Sequence, residues 1–239
     1  MRTLTLPIAR KLTLSKWNYW LGRIHDVKLY GKIKVANRVP VASGSANINI
    51  IIELLERVNK VDGDITECGV FRGSTIVSIA YYAKVNSLTK NILGFDSFEG
   101  FSKEDLKYDQ SVSSSEEMDA EVKLFRNNSL QLVKDKLELV GVINQVKLIK
   151  GFFSDTLPLY SSSKFSFVHI DCDLYEPYKV CLSFFYSRTS KGGIILFDEY
   201  NDPVYTMCNR AIDNFLKDKP EQLLQIVKDN QIKYYIEKL

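Results

Sequence analysis

The feature of this sequence that most constrains its fold is a repeated alternation of short apolar runs and longer amphipathic stretches. Five runs have the composition of buried β-strands, and they occupy residues 64–70, 91–98, 145–151, 165–171 and 192–198. Strands that alternate with helices form a mainly parallel sheet with helices on both faces. Beyond them, LLQIV and IKYYIEKL flank a turn at Asp229-Asn230, which predicts an antiparallel hairpin. The sequence therefore predicts an α/β fold with a Rossmann-like sheet, mostly parallel with a C-terminal antiparallel hairpin.

Helices are predicted around these strands, and the expected ranges are residues 45–60, 74–85, 178–186 and 204–216. Residues 101–119 are rich in Ser, Asp and Glu, so we expect a long loop that forms a lid or a disordered excursion. A further helix should follow this loop and run to about Leu137.

A length of 239 residues suits one α/β domain with a full core. We divide the chain into a basic, aromatic N-terminal arm or lid at residues 1–44 and one domain at residues 45–239. Residues 1–38 carry nine basic groups and one acidic group, so with a net charge of +3 overall the remainder is mildly acidic. That balance argues against a nucleic-acid enzyme. The arm is expected to meet an anionic acceptor, a membrane surface or a partner subunit of a homo-oligomer, or to be a solvated extension.

The sequence also bears on location. No apolar run reaches the roughly 18 residues of a membrane-spanning helix, because charged residues or glycines interrupt each one. The N-terminus lacks a long apolar core and a small-residue cleavage site, so we expect a cytoplasmic protein. No two cysteines form a C-x-x-C pair, and their apolar neighbours predict buried free thiols at Cys68, Cys172, Cys181 and Cys208.

The end of the first predicted strand, ECGVFRGST (67–75), has residues suited to a cofactor. Gly69 and Gly73 would let the main chain pass close to a ligand, and Ser74 and Thr75 would open the next helix and cap it. A helix N-terminus favours a carboxylate, and Glu67 would offset an amino group. S-adenosylmethionine (SAM) carries both of these groups on its methionine end.

Residues at the next two strand ends would hold the rest of this cofactor. Asp96 follows Gly73 by 23 positions, where a carboxylate accepts hydrogen bonds from ribose hydroxyls. The G-x-G-x-x-G motif of dinucleotide enzymes is absent, since Phe71 occupies its middle glycine position. Gly151 permits close approach, and an aromatic residue such as Phe152 would stack on adenine. The alternatives are a tight turn, an Asp96 that only caps a helix, and a phenylalanine that only fills the core.

The fourth and fifth predicted strands end in pairs of carboxylates. Asp171 and Asp173 follow one strand, and Asp198 and Glu199 follow the other. Crowded carboxylates are costly without a cation, and oxygen ligands suit Mg²⁺, Ca²⁺ or Mn²⁺. A divalent ion would lower the pKa of an acceptor hydroxyl, and a nearby carboxylate would take its proton. The alternative is carboxylates that cap helices or lie in loops, and His169 is expected to be a hydrogen-bonded core residue.

Taken together, these segments resemble the macrocin O-methyltransferase (TylF-type) family, which methylates sugar hydroxyls on macrolides, aminocoumarins and related glycosylated products. The resemblance covers about residues 40–216 and rests on GDITECGVFRGSTI, GFDSFEGF, KGFFSDTLP, HIDCDLYEPYKVCL, KGGIILFDEY and CNRAIDNFL. It implies a class I methyltransferase fold, SAM as methyl donor and dependence on Mg²⁺. It also implies metal ligands at Asp171, Asp198 and Glu199, with Asp171 as the favoured general base. The SAM-binding residues that it implies are Glu67, Gly69, Ser74, Thr75, Asp96 and Ser97, with Gly151 and Phe152 nearby.

Two departures from the family pattern bear on the site. Glu199 stands where Asp is common, and its longer side chain leaves the metal coordination open. Phe71 stands where Trp is usual, which keeps an aromatic ring. The predicted function is a SAM- and divalent-metal-dependent O-methyltransferase acting on a sugar hydroxyl of a glycosylated small molecule or glycan. The alternatives are an NAD(P)-type nucleotide-binding oxidoreductase, which shares the fold outline, and a catalytically silent SAM-binding homologue.

Overall fold

The computed structural model describes residues 46–112, 115–126 and 128–239. The arm predicted at residues 1–44 lies outside this part of the chain. Within it, seven strands form one sheet with the order β3-β2-β1-β4-β5-β7-β6. The strands are β1 (Asp64–Cys68), β2 (Ile92–Asp96), β3 (Val146–Lys150), β4 (Phe165–Ile170), β5 (Thr189–Phe197), β6 (Leu224–Lys228) and β7 (Gln231–Glu237). β1 to β5 run parallel, whereas β7 is antiparallel to β5 and β6, so the predicted fold is confirmed.

The described helices cover both faces of this sheet. They are α1 (Ala46–Arg57), α2 (Ser74–Val85), α3 (Lys103–Val112), α4 (Glu116–Phe125), α5 (Leu130–Val140), α6 (Phe153–Thr156), α7 (Tyr175–Phe185) and α8 (Met207–Leu216), with short 3₁₀ turns at Ile143–Gln145 and Leu157–Tyr160. α1, α2 and α5 bury apolar side chains in a core on one face. α4, α7 and α8 contribute to a second core on the opposite face. None of the helices in the described part is long and apolar enough to cross a membrane.

The long loop predicted for residues 101–119 is wrong, because Lys103–Val112 forms α3 and α4 begins at Glu116. α3 is too polar for an apolar stripe to reveal it, and its only buried residue is Asp109. The Asp109 carboxylate accepts hydrogen bonds from the main-chain N–H of Tyr175, with both oxygens 3.2 Å from that nitrogen. α3 is therefore held by this buried polar contact together with the partly buried Leu106 and the Tyr108 ring, which lies 5.2 Å from the ring of Tyr175. Hydrophobic periodicity does not detect so small an apolar contribution.

The single helix predicted to run to about Leu137 is also divided in two. α4 ends at Phe125 and α5 begins at Leu130. The side chain of Ser129 causes the second start, since its hydroxyl accepts a hydrogen bond of 3.2 Å from the main-chain N–H of Leu132.

The predicted C-terminal hairpin is confirmed, with Lys228 of β6 paired to Gln231 of β7. Its two turn residues, Asp229 and Asn230, have φ angles of 50° and 63°. Asp and Asn tolerate this left-handed conformation better than most residues, and it matches the twist of the flanking strands.

The four predicted free thiols are confirmed in the described chain, where each cysteine is buried and reduced.

Candidate active site

A cavity of about 310 Å³ opens where the strand order reverses between β1 and β4. In parallel α/β sheets this reversal leaves a crevice at the carboxyl ends of the strands, where ligands bind. All but one of the predicted cofactor residues line it, namely Glu67, Gly69, Ser74, Thr75, Asp96, Ser97, Gly151 and Phe152. Gly73 does not line the cavity and is instead the N-cap of α2. The structure thus gathers residues from three strand ends around one space.

The glycines of the β1–α2 turn are required for packing rather than only for approach to a ligand. Gly69 has a φ of 93°, and a Cβ on it would lie 1.5 Å from the main-chain oxygen of Asp171. Gly73 has a φ of 78°, and its Cβ would lie 2.6 Å from Cγ1 of Val133. The sequence identified these positions correctly as needing glycine, but the reason in the structure is contact with neighbouring protein atoms.

The N-terminus of α2 has no side-chain cap. Ser74 and Thr75 begin the helix as predicted, but neither caps it, because the N-cap residue is Gly73 and no side chain bonds there. The first main-chain N–H groups of a helix are then available to an anion. Ser74 and Thr75 line the cavity, so this end of α2 faces the space where a ligand would lie.

Asp96 organises the main chain beside the cavity. Its carboxylate accepts hydrogen bonds from the N–H of Phe71 at 2.7 Å and from the N–H of Phe98 at 2.5 Å. The side chain of Asn128 also hydrogen-bonds to it. Burial raises the pKa of Asp96, although these hydrogen bonds oppose the rise. Asp96 therefore stabilises the turn around the cavity as well as lining it.

A chain of charged groups, two of them buried and two partly exposed, runs behind the cavity. His169 lies between Glu67, whose Oε1 is 3.2 Å from its Nδ1, and Asp198, whose Oδ1 is 3.4 Å from its Nε2. Burial alone would lower the pKa of His169, but the hydrogen bonds to Asp198 and Glu67 raise it to about 10. Lys233 of β7 continues the chain, with its Nζ 2.9 Å from Asp198 Oδ1. His169 is thus a hydrogen-bonded core residue, as predicted.

Glu67 is the member of this chain that lines the cavity. It is 1% exposed, and burial raises the pKa of its carboxyl to about 7. Its Oε1 contacts His169, whereas its Oε2 has no hydrogen-bond partner among the described residues. A buried carboxylate oxygen without a donor is costly, so the geometry suits a ligand that donates here.

The predicted carboxylate cluster is only partly assembled as expected. Oxygens of Asp171, Asp173 and Glu199 lie within 4.8 Å of one another, and an alternative group combines Glu67, His169 and Asp171. Asp198 belongs to neither group. It is paired with His169 and Lys233, which hold its pKa well below the usual range despite burial.

Glu199 is oriented by a buried tyrosine. The Tyr178 hydroxyl forms a short hydrogen bond to the Glu199 carboxyl and lies 3.0 Å from the main-chain oxygen of Ile170. Burial and the proximity of Asp171 raise the pKa of Glu199 well above its usual range. Burial and the charge of Asp198 raise that of Asp171 to about 6. Carboxyls with such raised pKa values are arranged as a cation site or a proton acceptor would be.

The structure adds cavity residues that sequence reasoning missed, and these are Arg72, Phe101, Asp105, Phe125, Asn128 and Glu176. Several lie on or next to α3 and α4, in or near the segment predicted as a loop. The Phe125 ring lies 5.0 Å from that of Phe71 and 5.2 Å from that of Phe101. Placing Asp105 would have needed a helix signal at residues 103–112, and α3 has no apolar stripe.

The strand order and the cleft define the class I methyltransferase fold. Residues 42–233 match the model of the macrocin O-methyltransferase (TylF) family, and the chain belongs to that family. This membership confirms the resemblance seen in the sequence. It does not favour the NAD(P)-type alternative.

Two curated relatives and one solved structure illustrate the similarity. The 8-demethyl-8-(2,3-dimethoxy-alpha-L-rhamnosyl)-tetracenomycin-C 4'-O-methyltransferase of Streptomyces olivaceus is 29% identical over 162 residues, which cover 65% of this chain and 58% of that protein. The mycinamicin III 3''-O-methyltransferase of Micromonospora griseorubida is 28% identical over 164 residues, covering 65% of this chain and 61% of that protein. The structure of the O-methyltransferase NovP has a TM-score of 0.65 and 25% identity, covering 80% of this chain and 79% of that one. This chain thus matches about three fifths of the length of the two curated relatives.

Proposed function

We propose that this protein is a SAM-dependent O-methyltransferase that acts on a sugar hydroxyl of a glycosylated small molecule or glycan. Family membership supports the reaction type. The name of the Streptomyces olivaceus relative specifies a rhamnosyl-bearing substrate, which supports a sugar as the acceptor. The observation that carries the proposal is the unpartnered Glu67 oxygen facing the same cavity as the uncapped start of α2.

In this proposal SAM binds in the cavity and supplies the methyl group. Glu67 accepts hydrogen bonds from the ammonium group, and the N–H groups at Ser74 and Thr75 bind the carboxylate. Asp96 and Ser97 lie beside the ribose. Phe152, which is 39% exposed at the edge of the cavity, stacks on adenine, and Gly151 leaves room for it.

The carboxylate cluster fits a hard divalent cation such as Mg²⁺. Oxygen ligands suit such ions, and Asp171, Asp173 and Glu199 bring theirs within 4.8 Å of one another. We infer that Asp171 and Glu199 would hold the ion. Asp173 is a candidate for the place that the family pattern gives to Asp198. When bound, the cation would lower the pKa of an acceptor hydroxyl.

Asp171 is the candidate general base in this proposal. It lines the cavity and lies in the carboxylate cluster, so an acceptor hydroxyl beside the methyl donor would be within its reach. Its carboxyl is partly buried and its pKa is raised to about 6, which brings its basicity closer to that needed at neutral pH. Glu199, held by Tyr178, keeps one wall of the cluster in place.

The first test is isothermal titration of S-adenosylhomocysteine and, separately, NAD⁺ into the purified protein. Glu67→Gln is the informative variant, because its amide oxygen still accepts from His169 while the negative charge is lost. Glu56→Gln, an exposed change on α1, is the matched control. We expect binding of S-adenosylhomocysteine that weakens about tenfold or more in Glu67→Gln only. Binding of NAD⁺ alone would overturn the proposal.

The second test measures methyl transfer to a panel of glycosides by mass spectrometry, with and without EDTA. Turnover that requires added Mg²⁺ would support the cation site, and turnover that survives EDTA would remove it from the proposal. S-adenosylhomocysteine binding without transfer to any acceptor across a broad panel would favour the catalytically silent alternative.

A further inference from the structure

Asn128 lies between α4 and α5, directly before a helix start whose position is fixed by several contacts. Ser129, the next residue, caps α5. α5 is tied to the β1–α2 turn, because the Lys136 Nζ donates a hydrogen bond of 2.7 Å to the main-chain oxygen of Arg72. Val133 of the same helix fills the space beside Gly73. The start of α5, next to Asn128, is therefore anchored to the turn that faces the cavity.

The side chain of Asn128 is only half satisfied. Its amide group hydrogen-bonds to the Asp96 carboxylate, which fixes the orientation of the side chain, since a carboxylate only accepts. Its Oδ1 is buried and has no partner in the described part of the chain. Both Asn128 and Asp96 line the cavity. A buried carbonyl oxygen without a donor is uncommon, so this atom is a candidate for a bond to a ligand.

We propose that Asn128 is a further cofactor-binding residue whose Oδ1 accepts a hydrogen bond from a ribose hydroxyl of SAM. This inference rests on the proposed function and adds a residue that neither strand-end position nor family motif had indicated. Among the donors of the cofactor, the ribose hydroxyls are the ones expected next to Asp96, and Asn128 is bonded to Asp96. The adenine end is assigned to Gly151 and Phe152, at the end of β3.

The occupancy of Asp96 explains why a second acceptor is useful. Its two oxygens already receive the N–H groups of Phe71 and Phe98, and one further bond comes from Asn128. Little acceptor capacity remains for two ribose hydroxyls. Asn128 Oδ1 supplies an unused acceptor at the same place, so the two side chains together match the two hydroxyls of a ribose.

The test is a thermodynamic cycle in which Asn128 is changed in the protein and one ribose hydroxyl is removed from the ligand, with affinities measured by isothermal titration. S-adenosylhomocysteine and its 2'-deoxy and 3'-deoxy analogues are titrated into wild type, Asn128→Ala and the control Asn214→Ala, an exposed change on α8. In wild type and control we expect one analogue to bind about tenfold more weakly than the parent. Asn128→Ala should bind the parent compound about tenfold more weakly than wild type does. In this variant the same analogue should bind less than about threefold more weakly than the parent.

The outcomes separate this inference from the proposed function. If wild type fails to bind S-adenosylhomocysteine at all, the proposed function itself fails. Suppose that wild type binds S-adenosylhomocysteine, and that each deoxy analogue loses as much affinity relative to the parent in Asn128→Ala as it does in wild type. Then Oδ1 does not bind the ribose and the inference is overturned. Asn128→Ser is measured in parallel, with melting curves, so that a variant that does not fold leaves the question answerable.

Discussion

Replacing Asp109 with Asn is expected to stabilise the protein at neutral pH. The Asp109 side chain is 1% exposed, and burial raises the pKa of its carboxyl to about 6. The nearby charges of Asp105 and Glu176 raise it further, while the hydrogen bond from the Tyr175 N–H opposes them. An ionised Asp109 at pH 7 therefore costs stability. An Asn oxygen keeps the bond from Tyr175 without the buried charge.

The magnitude follows from the difference between this pKa and the ordinary value of 3.8. One pKa unit corresponds to about 1.4 kcal/mol, so the upper bound is about 3 kcal/mol. Structural relaxation and water near the edge of α3 reduce the expected gain to about 1–2 kcal/mol. Between pH ~4 and ~6 folded Asp109 binds a proton that the unfolded chain does not. The contribution of Asp109 to the free energy of unfolding therefore falls as pH rises through this range, and it is constant above pH ~6.

The assay is urea unfolding of wild type and Asp109→Asn at several pH values between about 4 and about 8. The two free energies of unfolding should agree near the acid end and differ by about 1–2 kcal/mol above pH ~6.5. Asp218→Asn, an exposed acid on the segment after α8, should show little change at any pH. A variant that is less stable at pH 7, or a difference that is the same at every pH, would refute the reasoning.

Three further changes test other parts of the structure. Gly69→Ala should lower the free energy of unfolding by more than about 3 kcal/mol, because its Cβ would overlap the Asp171 main chain. Gly192→Ala, with a similar φ but only an ordinary contact of 3.7 Å to Val61, should cost about 1 kcal/mol, and equal losses in urea titrations would contradict this. Burial alone would raise the pKa of Glu221, but the hydrogen bond from Lys238 lowers it to about 2. Glu221→Gln should therefore lower the free energy of unfolding by about 1–2 kcal/mol at pH 7, and by progressively less as pH falls below about 4. A loss as large at pH ~3 would argue against the ion pair. Asp171→Asn should reduce kcat at least about 100-fold while S-adenosylhomocysteine binding changes little, and unchanged turnover would remove it as the base.

The strand ends were the most predictable part of the site. Glu67, Asp96 and Asp171 follow apolar runs, and parallel strands bring their carboxyl ends to one edge of the sheet. The turn at Asp229-Asn230 likewise depends on local chemistry, since these residues adopt positive φ readily. Local sequence was sufficient in these places because the structure depends there on local preference and alternation.

Other features depended on distant partners and were not predictable. The buried contact of α3 joins Asp109 to Tyr175, which are 66 positions apart. Asp198 was counted among uncompensated carboxylates, but the hairpin brings Lys233, 35 positions later, to its side. Asn128 carries no motif, and its place beside the cavity follows from the packing of α5.

The contact between Gly69 and Asp171 has a consequence for how such an enzyme diversifies. The N–H of Asp171 donates to the Cys68 oxygen and the N–H of Gly69 donates to the Phe95 oxygen, each at 2.9 Å. The spacing between the proposed donor-binding turn and the proposed base is therefore set by main-chain atoms, which side-chain substitutions leave in place. Mutations in α3 and α4 can then reshape the opposite wall during evolution and exchange one acceptor for another. The geometry of the transfer would be inherited unchanged.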